Sequence, residues 1–163
     1  HLRSEKLTDR NMYMKFTSIA ALFAAAILLF SSPALSSSSG YEEALKNSSG
    51  LYEQGRFQEA IPCAKQAIAI AEQEIGVDDA AFAGLLDKLA VLYEAEMHYA
   101  KAQPLYLRAL DIRIKAFGPR HSKVVESLIN LALVYDALGE YCAALKMDAR
   151  AIEIIEAVVL QGA

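Results

Sequence analysis

"LLDKLAVLYEAEMHYAKAQPLYLRALDIR", residues 85–113, decides the fold when it is laid 42 residues further along, on "SLINLALVYDALGEYCAALKMDARAIEII", residues 127–155. Leu86, Leu89, Ala90, Tyr93, Tyr99, Ala102, Arg108, Ala109 and Ile112 meet Leu128, Leu131, Ala132, Tyr135, Tyr141, Ala144, Arg150, Ala151 and Ile154. Identity of both large and small residues at a single offset marks an internal repeat, not shared composition. The same shift backward puts Phe57, Ala60, Pro62, Ala67 and Ile70 under Tyr99, Ala102, Pro104, Ala109 and Ile112, so three copies fill residues 41–160. The first copy is weakest in its opening segment, where Asn47, Ser48 and Ser49 stand for Leu89, Ala90 and Val91.

Within a copy the apolar spacing is helical. Leu128, Leu131, Ala132 and Tyr135 follow i, i+3, i+4, i+7, and a second run opens at Tyr141 and Ala144. Gly55, Met97 and Gly139 end the first run two residues before an aromatic that starts the second, so each copy is a helical hairpin. Ala90 and Ala132 on the first helix, and Ala102, Ala109, Ala144 and Ala151 on the second, let the paired helices approach toward the short end of the ~8 to 10 Å range.

These residues resemble the tetratricopeptide repeat: a small residue on the first helix (Ala90, Ala132), Tyr three residues later (Tyr93, Tyr135), Gly at the turn (Gly55, Gly139), then an aromatic (Phe57, Tyr99, Tyr141) and Ala (Ala60, Ala102, Ala144). The usual unit has about 34 residues; eight more here would add about one turn to each helix. That length, with "PLYLRALDIR" and a "GPRH" linker, is similar to the kinesin-light-chain variety. The resemblance implies an all-α, right-handed α-solenoid of three helical hairpins, at about 41–79, 80–121 and 122–160, that binds a protein or peptide in a concave groove lined by the first helices. It places Tyr52, Asp87, Lys88, Val91, Glu94, Glu126, Asn130, Leu133 and Asp136 in that groove. Asn130 matches an Asn that holds a peptide backbone in such repeats, although Lys46 and Lys88 take its column in the other copies. A mixed groove with acidic residues in excess suits a segment with apolar anchors and some Lys or Arg.

The N-terminal part reads differently. Residues 16–30, "FTSIAALFAAAILLF", carry no charge, follow Lys15 and precede "SSPALSSSSG". That order is the layout of a secretory signal, with Ala34 and Ser36 in a small-x-small relation that places cleavage after Ser36. The alternative is an uncleaved anchor, since extending the run to Leu35 gives about the 20 residues of a spanning helix. On this reading residues 14–36 are the signal or anchor, 37–40 a linker, and 1–13 a non-native or untranslated extension ahead of Met14. Either route predicts repeats outside the cytoplasm, periplasmic, extracellular or membrane-anchored. From Ser37 onward 12 Lys and Arg stand against 18 Asp and Glu, a net charge of about −6. Nucleic-acid binding requires the opposite surplus.

Residues that could carry chemistry have structural explanations. His121, in "AFGPRHSK", falls on Asp79 at the repeat offset, which suggests local bonding at a helix start, with Ser122 or Asp79 as cap. His98 lies in a hairpin turn, and the His and Cys spacings match no metal site. Cys63 and Cys142 belong to the first and third hairpins, on the order of 20 Å apart for stacked layers, beyond the reach of a disulfide. Asn47, in "NSS", matches a glycosylation acceptor but falls within a helix. No enzyme motif, metal or other cofactor is expected. The competing reading is a self-assembling structural module or a fragment of a longer repeat array: no polar capping helix is evident, and the last helix ends in apolar Val158, Val159 and Leu160.

Overall fold

A computed structural model describes residues 39–161. The proposed signal or anchor and the residues before it lie outside them. Six helices follow one another: α1 (Gly40–Glu53), α2 (Phe57–Glu74), α3 (Ala80–Ala95), α4 (Tyr99–Phe117), α5 (Ser122–Ala137) and α6 (Tyr141–Gln161). There is no strand among the described residues. Each helix packs chiefly on its neighbours in sequence, α1 on α2, α3 on α4 and α5 on α6 as hairpins, with α2 on α3 and α4 on α5 joining them. This is the expected all-α solenoid. Among the described residues no helix is long and apolar enough to cross a membrane.

The turns repeat with the sequence. Gly55, Met97 and Gly139 all have positive φ, at 73°, 57° and 78°. In the first turn the Gly55 N–H donates to the Tyr52 carbonyl (2.9 Å) and the Arg56 N–H to that of Leu51 (2.9 Å). Met97 with His98, and Gly139 with Glu140, make the equivalent pairs, so all three hairpins close with the left-handed residue that ends a helix. Gly76 and Gly118, also 42 apart, take φ of 84° and 86° between hairpins.

The helix starts sharpen the reading of "AFGPRHSK". Asp79 Oδ1 accepts from the Ala81 N–H at 2.7 Å, and His121 Nδ1 accepts from the Lys123 N–H at 3.1 Å. His121 is itself the N-cap of α5, and Ser122 is its first residue. The ring also stacks on Phe117 with centroids 4.7 Å apart. A histidine and an aspartate thus do one job at equivalent places.

The small residues sit where close approach requires them. Ala60, Ala67, Ala71, Ala90, Ala102 and Ala109 are wholly buried. Phe82 packs with Leu85, Leu86 and Ala71 in one cluster, and Tyr106 with Leu110, Leu128 and Leu131 in another. Burying a side chain such as Phe82 contributes about 2 to 3 kcal/mol, and each cluster draws on more than one hairpin, so a lone hairpin would leave its apolar face in water. Cys63 and Cys142 are free thiols. Asn47 lies exposed within α1.

Candidate functional site

Between α1 and α3 lies a cleft of about 430 Å³. From α1 it is lined by Ser48, Ser49, Tyr52 and Glu53, and from α3 by Asp87, Lys88, Val91 and Leu92. The i, i+3, i+4 spacing of these residues is what puts them on one helix face. Tyr52 stands up at the rim, 42% exposed, with its ring 5.4 Å from that of Phe57. Ser48 is buried at the floor, and its hydroxyl donates to the Ala60 carbonyl of α2 at 3.0 Å.

Asp87 anchors the charged end of the cleft. Its Oδ2 lies 2.5 Å from Nη2 of Arg113 on α4, and Nη1 of that arginine donates to Ser127 Oγ on α5 at 2.5 Å. One buried guanidinium therefore ties the second hairpin to the third. Burial pushes the Asp87 carboxyl above its ordinary range, with Arg113 opposing the shift. Asp87 Oδ1 remains buried with no donor among the described residues.

Glu94, two turns further along α3, shares this condition. Its Oε1 is buried without a donor among the described residues, and burial raises its carboxyl. The Tyr106 side chain, 1% exposed, lies close enough for Glu94 and Asp87 to act on it. Burial and those two charges raise its hydroxyl far above the usual tyrosine value. Two under-satisfied carboxylates thus lie on α3, Asp87 in the lining of the cleft and Glu94 beyond it toward Tyr106 of α4, and an unmet buried charge is costly.

Of the groove residues read from the sequence, Tyr52, Asp87, Lys88 and Val91 meet in this cleft. Glu94 on α3, and Glu126, Asn130, Leu133 and Asp136 on α5, do not line it. Leu133 is 61% exposed, and Glu126 is held by Lys123 Nζ at 3.1 Å. The sequence reading overlooked Ser48, Leu92 and, above all, Arg113. Its signal was a departure from the repeat: Arg113 stands in the column of Ala71 and Ile155, just as Asp87 stands in that of Leu45 and Ile129. Among the described residues there is no cluster suited to a metal ion.

Three solved structures of similar fold are distant in sequence. BtubC (BKLC) from P. vanneervenii is 19% identical with a TM-score of 0.66 over 70% of this chain and 45% of that one. The TPR domain of Arabidopsis FLU is also 19% identical, with a TM-score of 0.61 over 72% of this chain and 95% of that domain. A kinesin-light-chain candidate of Podosopora anserina, built of nearly identical TPR-like repeats, is 22% identical with a TM-score of 0.63 over 71% and 55%. The chain therefore spans about half the length of the BtubC and Podosopora proteins, and the likeness bears on fold alone. No curated protein matches the sequence. Two models of the tetratricopeptide repeat match it, over residues 48–81 and 81–157. With hairpins, turns and solenoid stacking all agreeing, the chain belongs to the tetratricopeptide-repeat proteins, whose repeats generally mediate protein–protein interactions.

Proposed function

We propose that this protein is an exported adaptor whose groove holds a segment of another protein, one that offers an apolar side chain beside a lysine or arginine. The cleft between α1 and α3 carries this reading. Tyr52, Val91 and Leu92 form an apolar wall, and the unpartnered oxygens of Asp87 and Glu94 along α3 await a cationic donor. An ammonium or guanidinium brought there would offset the burial that now raises both carboxyls, a charge-assisted contact stronger than a neutral one. On this reading Lys88, exposed at the edge of the cleft, and Asn130 on α5, outside its lining, would donate to the segment's acceptors. Export rests on the charge-free run 16–30 and the small residues after it.

Capture from an envelope extract tests the groove. Tyr52→Ala, Lys88→Ala and Asn130→Ala combined should lower capture of bound protein by about 10-fold or more, since a few groove residues carry most of such an affinity. Equal capture by both forms would overturn the assignment. Capture by the unaltered protein should fade as pH drops, because protonating Asp87 and Glu94 removes the charge that recognises the cation, and it should do so above the ordinary carboxylate range. The exposed outer face of α6 favours a second reading, self-association.

A further inference from the structure

The second helices repeat the same columns at intervals of 42, and these columns show what belongs against α6. In α2 the columns hold Ala64 and Ala71, packed beneath Phe82, Leu89 and Leu92 of α3. In α4 they hold Tyr106, Leu110 and Arg113, at 1%, 5% and 7% exposure beneath α5. In α6 the columns of Tyr106, Leu110 and Arg113 carry Asp148, Ile152 and Ile155, and Tyr141, Leu145 and Val159 continue the same face. The five apolar members are between 46% and 68% exposed. Alternating steps of four and three put all six on one stripe, the spacing of a helix seam.

The opposite end of the solenoid is built otherwise. The face that receives the preceding hairpin is Phe82, Leu85, Leu89 and Leu92 in α3, and Val124, Ser127, Leu131 and Val134 in α5. In α1 these columns hold Gly40, Glu43, Asn47 and Gly50. The N-terminal end therefore does have a polar capping face, contrary to the expectation from sequence. Head-to-tail stacking of copies would bury Glu43 and Asn47 against the α6 stripe, leaving a carboxylate and an amide without partners.

We propose that two copies of this chain pair through their α6 faces, antiparallel about a two-fold axis level with residue 150. The stripe is its own complement: reversal about that point exchanges Tyr141 with Val159, Leu145 with Ile155 and Asp148 with Ile152. An isologous contact of this kind closes on itself. Charge selects the direction. Lys146 on the N-terminal half of the exposed flank meets the acidic half, Glu153 and Glu156, of the other copy, whereas parallel pairing would set those glutamates against each other. Asp148, the one charged member of the stripe, lies beside the axis and sets the register at a cost in stability. The groove is on the first helices and stays free.

Disulfide trapping in intact cells making the full chain tests this pairing. With Cys63→Ser and Cys142→Ser in place, Ala149→Cys should yield a covalent dimer on mild oxidation, and Lys115→Cys on α4 should not. Ile152→Glu should reduce trapping on the order of 100-fold by burying a carboxylate in the seam. Asp148→Ala should raise association about 10-fold, the gain from removing the seam's polar residue. The Asp148→Ala variant keeps the test informative should Ile152→Glu misfold. Sedimentation of the purified chain should give the mass of two copies. A concentration-independent monomer, whose α6 face another part of the chain would cover, overturns the proposal. So do open-ended multimers, or trapping at residue 149 no better than at 115.

Discussion

Met97 shows how much local backbone chemistry a repeat can absorb. Its column in the first and third hairpins is glycine, yet Met97 adopts the same left-handed turn at φ 57°. An L side chain in that region costs roughly 1 to 2 kcal/mol, and Met97, 78% exposed, gains little packing in return. Met97→Gly should therefore stabilise the fold by about 0.5 to 1 kcal/mol after the greater freedom of unfolded glycine is subtracted. The denaturant midpoint is the measurement, and no change would mean that the turn is unstrained. His121 makes the complementary point, since a ring nitrogen there does the work of the Asp79 carboxylate. At both positions the backbone requirement is constant and the residue type is negotiable.

At the scale of elements, the Asp87–Arg113 pair links α3, α4 and, through Ser127, α5. Arg113→Ala would leave Asp87 buried without its counter-ion and should cost about 3 to 5 kcal/mol. Asp87→Leu with Arg113→Ala installs the Leu45 and Ala71 of the first repeat at the same columns. That double variant should return to within about 1 kcal/mol of the parent, because a buried ion pair contributes little over an apolar pair. A double-mutant cycle in urea measures this, and additivity of the two changes would show that the pair is not coupled. This pair also marks the limit of what could be read beforehand. The hairpins, their turns and their small interior residues were legible because they recur every 42 residues. The pair occurs once, so the periodicity that revealed the fold concealed it, and the matched departure of two columns was the only trace. Part of the groove was legible for the same reason, since Tyr52, Asp87, Lys88 and Val91 follow from the register. The burial of carboxylate oxygens depends on side-chain placement that no spacing expresses.

For the whole molecule, the buried Tyr106 hydroxyl makes stability fall in alkali. Its folded-state pKa is raised by burial and then by Glu94. The unfolded chain therefore releases the proton first, near pH 10, while the folded chain retains it. The stabilisation is complete below that pH and is lost as pH rises beyond it, at about 1.4 kcal/mol per unit. Tyr106→Phe should flatten this decline, which thermal melts between about pH 9 and 11 would record; parallel slopes for both proteins would refute it. The unequal ends of the solenoid have a further consequence, for the order in which the chain folds. The first described hairpin turns a polar side outward, and each later hairpin covers the apolar side of the one before. Folding can therefore propagate from the first hairpin to the third by successive docking, with only the newest hairpin leaving an apolar side open and the earlier ones already covered.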